Sequence, residues 1–153
     1  MARNVFETLS VLVVDDSRHM RLLIQSLLHA LGVNKVLLAS DGEEAWSEYL
    51  THKPDVVITD AAMVPTDGFE LARRFRDVER ETSNHIPIIM ISAHTEISAI
   101  KKAKDIGITE FICKPLAARS LYDRLLAVVN RRQKVQVETS EDFSIQATQV
   151  AYL

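Results

Sequence analysis

The sequence predicts an α/β fold, a doubly wound five-stranded parallel sheet with helices on both faces. Two observations carry that expectation. Short runs rich in β-branched residues alternate with helix-length amphipathic stretches five times along the chain. The runs at 11–14 and 88–91, and the interiors of those at 55–60 and 110–113, are continuously apolar, as in strands covered on both faces, and not polar at every second residue. Parallel strands require right-handed crossovers, and the order expected for five of them is 2-1-3-4-5.

The elements follow in order. Strand one, residues 11–14, gives way to Ser17, an N-cap residue type, and then to an apolar-periodic helix over 18–31 stopped by Gly32. Strand two, 35–39, leads through Ser40-Asp41-Gly42, where Asp41 reads as a cap, into a short helix over 43–50. Pro54-Asp55 opens strand three. A turn-rich segment at 63–68 precedes a helix carrying Leu71, Phe75 and Val78 on one stripe. Pro87 opens strand four, a helix is expected over 96–105 before Gly107, strand five ends at Lys114-Pro115, and a fifth helix covers 119–131. Beyond Arg131 the run 132–138 alternates like a strand and the rest is polar. Residues 1–131 are therefore expected to form the domain, with 132–153 as a mobile tail, or alternatively an edge strand or partner-binding segment, and too short for an output domain.

Unusual polar residues end these strands. Strand one stops at Asp15-Asp16, strand three at Asp60, strand four at Ser92-Ala93 and strand five at Lys114-Pro115. In an open α/β sheet ligands bind beyond the carboxyl ends of the strands, and the 2-1-3-4-5 order sets strands one and three side by side. Three carboxylates, a hydroxyl and an ammonium should thus meet on one edge. Carboxylates about 4 Å apart repel by roughly 4 kcal/mol at an effective dielectric near 20. A hard dication relieves that repulsion, and Mg²⁺ favours one or two carboxylates together with waters and phosphate oxygens. The alternative is a structural acidic cluster neutralised by Lys114 alone, which leaves Ser92 and the aspartate pair without a role.

With Asp15-Asp16, Asp60, Thr66-Asp67-Gly68, Ser92-Ala93 and Lys114-Pro115 in that order, the chain over about residues 8–131 resembles response-regulator receiver domains, in particular the single-domain chemotaxis receiver. The resemblance implies a flavodoxin-like fold and a two-component phosphorelay function. Asp60 is then the phosphate acceptor, attacking the phosphorus of a phosphohistidine. Asp16 binds Mg²⁺ (or Mn²⁺) directly, Asp15 mainly through water, and the Ala62 carbonyl adds an oxygen. Ser92 and Lys114 hold phosphoryl oxygens, with backbone N–H groups near Ala61 and Ala93 completing the cradle. Phe111 is the switch aromatic, and the Lys114-Pro115 bond is cis. The partners implied are a histidine kinase or histidine phosphotransfer protein and a downstream target. Output is through the surface of helix four, strand five and helix five, in a monomer or a phosphorylation-dependent homodimer. Weak phosphorylation from small donors and self-dephosphorylation are implied too. The chain departs from the family pattern at Val64-Pro65, where proline usually stands one residue earlier, and at Ala62 and Thr66. These positions bear on loop shape and water access.

Helix one has more apolar residues (Met20, Leu22, Leu23, Ile24, Leu27, Leu28, Leu31) than one core stripe needs, which suits either docking of a kinase helical hairpin or deep burial. His19, His29, His52, His85 and His94 show no metal-ligand spacing, although His94 follows Ser92 closely enough to border the phosphoryl group. Cys113 is expected as a buried strand residue. A net charge of −3 over 153 residues does not suggest a nucleic-acid partner, and 47% hydrophobic with 25% charged residues is ordinary for one globular domain. A single cysteine rules out an internal disulfide. No apolar run nears the roughly 20 residues that span a bilayer, and residues 1–7 lack the apolar core of a signal peptide, so a cytoplasmic setting is expected. Two rival readings use the same fold. A flavodoxin-like cofactor carrier needs a Ser/Thr/Gly-rich loop where Asp15-Asp16-Ser17-Arg18 stands. A haloacid-dehalogenase-type phosphatase needs an Asp-x-Asp at strand one. A phosphate sink or intermediate relay keeps the receiver chemistry without its own output, and a phosphorylation-independent pseudo-receiver is disfavoured because every acidic ligand is present.

Overall fold

The computed structural model describes residues 3–82 and 84–132, together with the backbone of 133–140. Five strands, β1 (Ser10–Val14), β2 (Lys35–Ala39), β3 (Val56–Asp60), β4 (Ile88–Ser92) and β5 (Glu110–Cys113), alternate with α1 (Arg18–Leu31), α2 (Gly42–His52), α3 (Gly68–Val78), α4 (Ile97–Ile106) and α5 (Ala118–Ser140). All strand pairs are parallel, in the order β2-β1-β3-β4-β5. The architecture is the expected one.

The period of two along each strand divides the core into two layers. Val11, Val13, Val56, Ile58, Ile89, Ile91 and Ile112 face one way, against Ile24 and Leu28 of α1 and Leu121, Leu125 and Val128 of α5. Leu12, Val14, Val57 and Ile88 face the other way, against Ala45 of α2 and Leu71, Ala72 and Phe75 of α3. Met90 meets Ala103 of α4 on that side. β1, β3 and β4 are buried along their whole length, whereas the edge strands β2 and β5 are half-covered. Each fully buried aliphatic side chain contributes about 1.5–3 kcal/mol, so the central strands hold the frame on which the site is built.

Caps fix where the helices begin. Ser17 Oγ accepts from the Met20 N–H at 3.3 Å, Asp41 Oδ1 from Glu44 at 2.8 Å and Asp67 Oδ1 from Glu70 at 2.9 Å. Gly32 and Gly107 end α1 and α4 in left-handed conformation, with φ of 106° and 97°.

Four expectations are corrected. The alternating run 132–138 continues α5, which extends to Ser140, and is not an edge strand; residues 141–153 of the expected tail lie outside the described residues. Cys113 is exposed, because it ends an edge strand where no helix covers it. Val78 is 54% exposed, so the α3 stripe closes at Phe75. The surplus of apolar residues in α1 is not deep burial. Only Ile24 and Leu28 are buried there, and Leu22 and Leu23 stand 43% and 38% exposed.

Candidate functional site

The carboxyl ends of β1, β3, β4 and β5 converge as the topology requires. One carboxylate oxygen from each of Asp15, Asp16 and Asp60 lies within 4.8 Å of the others. Lys114 Nζ is 2.9 Å from Asp60 Oδ1. Asp60 and Asp15 are buried and Asp16 is exposed, so the cluster opens to solvent on one side. Among the described residues this is the one group of three or more histidine, cysteine or acidic side chains close enough to hold a metal.

Local bonding explains why each side chain points where it does. The Asp15 N–H donates to Ala39 O at 3.1 Å, prolonging the β1–β2 ladder, while its Oδ1 accepts from the Ser17 N–H at 2.8 Å. Burial holds the Asp15 carboxyl above its usual range; the charges of Asp60 and Asp16 push the same way, against the Ser17 N–H and Lys114. Asp16 Oδ2 accepts from the Val64 N–H at 3.3 Å, which ties the β3–α3 loop to the acidic pair. The Ala61 N–H donates to Ile91 O at 2.9 Å and the Lys114 N–H to Ser92 O at 2.9 Å, so sheet bonds hold Asp60 and Lys114 at the same edge. The Ala61 N–H itself is engaged in the sheet.

The Lys114–Pro115 peptide is cis, as the resemblance implies, and Val64–Pro65 is cis as well. The buried Ser92 hydroxyl accepts from the His94 N–H at 3.0 Å and lies 3.3 Å from His94 O, so it is engaged with its own loop. Phe111 is half-buried against the cluster of Ala61, Met90 and Ala103. Ala62 and Ala93 are exposed just past the ends of β3 and β4. A cavity of about 410 Å³ opens there between the β3–α3 and β4–α4 loops, lined by Ala61, Ala62, Phe69, Ser92, His94 and Lys102 among others. Lys102 Nζ stands 4.3 Å over the Phe69 ring. His94 itself is outside any metal-holding group and lies 3.6 Å from Glu96.

Two contributors have no signal as ligands in the sequence. Gly68 is needed for space, because a Cβ there would collide with the Asp60 carbonyl oxygen; α3 can start directly beneath Asp60 only with glycine at that position. Arg21 donates through Nη1 to the Asp15 carbonyl oxygen at 2.7 Å. The spacing of Arg21 on α1 gives no hint of that reach.

A family model described as the response regulator receiver domain matches residues 11–126. The response regulator MprA of Mycolicibacterium vanbaalenii is 34% identical over 123 residues, covering 79% of this chain and 50% of that protein. This chain spans about half the length of the curated relatives it matches first. Among solved structures, chemotaxis protein CheY4 of Vibrio cholerae superposes with a TM-score of 0.71 at 30% identity, over 78% of this chain and 98% of that one. CheY in the CheX–CheY–BeF₃–Mg²⁺ complex from Borrelia burgdorferi gives a TM-score of 0.71 at 30% identity, over 78% and 88%.

Proposed function

Since the chain belongs to the response regulator receiver family of two-component systems, we propose that it is a phosphorylated switch with Asp60 as acceptor. The observation that carries this reading is the buried Asp60 carboxylate, held 2.9 Å from Lys114 beside two further carboxylates. A carboxylate oxygen of Asp60 attacks phosphorus, and the bond to the donor imidazole breaks with its electron pair leaving on nitrogen. Such transfers run chiefly on positioning and charge stabilisation. Lys114 balances one phosphoryl oxygen, and the Ser92 hydroxyl turns from His94 to another. An Ala93 backbone N–H adds a donor.

Three hard oxygen ligands around a single lysine leave a net negative site, which fits a divalent cation with oxygen preference. Asp16 and Asp60 with the Ala62 carbonyl would hold Mg²⁺, or Mn²⁺ in its place, with Asp15 contributing largely through water, and the charge so supplied would offset that of the incoming phosphoryl group. The donor is a histidine kinase or histidine phosphotransfer protein, docking against the exposed Leu22 and Leu23 of α1. Movement of Ser92 lets Phe111 turn inward and changes the α4-β5-α5 face, where Ile97 is 86% and Ile100 42% exposed. The receiver unit is residues 1–131, acting in the cytoplasm as a monomer or as a homodimer formed on phosphorylation. Weak phosphorylation from small donors and slow self-dephosphorylation belong to the same proposal. A phosphate sink or relay without its own output is the second reading, favoured by the loop engagement of Ser92 if that engagement persists after phosphorylation.

Incubation with Mg²⁺ and acetyl phosphate, followed by intact mass measurement, should show one added phosphoryl group in the wild type and none in Asp60→Ala. Equal incorporation in the two proteins removes Asp60 as acceptor.

A further inference from the structure

Arg21 has no part in the phosphoryl chemistry above, yet its guanidinium reaches the edge of the acidic cluster. Nη1 donates to the Asp15 carbonyl oxygen at 2.7 Å, and that carbonyl belongs to the peptide joining Asp15 to Asp16. Resting on the assignment of Asp15 and Asp16 as dication ligands, we propose that Arg21 is a positioning residue for the metal site. It fixes the Asp15–Asp16 peptide so that both carboxylates face Asp60.

Three observations support this. First, Arg21 lies in the opening turn of α1, which contains no acidic residue, and a cation there is opposed by the helix dipole. Helix stability alone does not account for an arginine at that place. Second, a guanidinium beside carboxylates ordinarily forks onto one of them. Among the described residues no ion pair joins Arg21 to Asp15, Asp16 or Asp60; the guanidinium instead gives Nη1 to a neutral carbonyl and occupies no carboxylate oxygen. Third, the other polar groups of Asp15 are already tied. Its N–H meets Ala39 O, and its Oδ1 meets the Ser17 N–H. With Arg21 on the carbonyl, both backbone polar groups of Asp15 are held, and the peptide leading into the exposed Asp16 takes its direction from them. The Arg21 N–H also donates to Ser17 O at 3.0 Å, so the same residue closes the first turn of α1 and clamps the ligand pair.

A fixed cation near a dication site acts in two opposing ways, and the sign of the effect separates them. If Arg21 only supplies charge, its removal lowers repulsion and tightens metal binding. If it positions the ligands, its removal loosens binding. Mn²⁺ titration followed by electron paramagnetic resonance, on the full chain well below its melting temperature, reads this directly without phosphotransfer. Arg21→Met should weaken Mn²⁺ binding on the order of tenfold, the scale of other outer-shell substitutions. Arg21→Lys, a point charge with a shorter reach, should fall between it and the wild type. Equal or tighter Mn²⁺ binding by folded Arg21→Met overturns the proposal, and equal binding with a lower melting temperature reduces Arg21 to a brace of the fold. Should Arg21→Met not fold, Arg21→Lys decides alone, with weaker binding in favour and equal binding against. If Asp16→Ala binds Mn²⁺ as tightly as the wild type, the dication reading itself fails, independently of Arg21.

Discussion

Mg²⁺ should stabilise the folded chain, and Asp16→Ala should abolish that stabilisation. At an effective dielectric of about 20, two carboxylate charges at the outer limit of 4.8 Å within the cluster repel by roughly 3.5 kcal/mol. Lys114 offsets part of this at Asp60, but its side chain is 30% exposed and Asp16 faces solvent, so water screens much of the gross figure. What a dication returns is set by its affinity for the native state, about 2.7 kcal/mol at a hundredfold excess over Kd. For a domain of this size that is a Tm rise of roughly 5–10 °C. Asp16→Ala removes a ligand and also one source of repulsion, so its metal-free Tm should be no lower than that of the wild type while its response to Mg²⁺ disappears. Thermal melts of both proteins, with and without Mg²⁺, check this. An equal rise in the two would refute the ligand role and with it the electrostatic reasoning. The pH dependence has a definite sign. The folded chain holds the Asp15 proton more tightly than the unfolded chain does, since its carboxyl lies above the ordinary value of 3.8. Metal-free stability from this group is therefore greatest at low pH and declines as pH rises from that value through the raised one. Mg²⁺ competes with the same proton, so its stabilising increment should vanish below that window and be full above it.

Three further outcomes are expected. Gly68→Ala should cut Asp60 phosphorylation by acetyl phosphate more than it lowers stability in denaturant melts, because the added Cβ meets the acceptor's own carbonyl; an unchanged phosphorylation rate would show that α3 can shift freely. Beryllofluoride should shift amide signals more at 97–100 than at 103–106, since Arg76 Nε and Nη2 fork onto Gly107 O at 3.1 and 2.9 Å and pin the far end of α4, whereas Glu96 caps its near end with no side-chain bond. A uniform shift along α4, or none beyond the ligands, would count against a switch pivoting there. A chain ending at Gln133 should fold and accept phosphate at close to the full-length rate, because it keeps the ion pairs of Arg131 with Glu110 and of Arg132 with Asp55; loss of solubility would place the remaining residues in the packed domain or a dimer interface.

The fold was legible because its signals are local and repeat. Five apolar runs, each followed by a helical stretch, with Gly32, Pro54 and Gly107 stopping three of those helices, leave little choice of architecture, and the parallel sheet then brings Asp15, Asp16, Asp60 and Lys114 together at the carboxyl edge. What escaped the sequence depends on a residue's surroundings in space. Cys113 reads as core on its run of neighbours, but burial is decided by what covers β5, and the last residue of an edge strand has no helix above it. Residues 132–138 alternate as a strand would, yet the backbone prolongs the helix already nucleated at Ala118. The bond from the Ala61 N–H to Ile91 O follows from the register in which Asp60 pairs with Ile91, one residue before. Gly68 was visible as a turn residue, but the reason for it is the Asp60 carbonyl, contributed by a different element. The same limit applies to Arg21. Its sequence position marks it only as a polar residue near the start of a helix, and its reach to the Asp15 carbonyl exists only once α1 is packed beside the end of β1. Residue types and spacings therefore locate the groups that carry charge and chemistry. The groups that aim them are found only once the elements are packed.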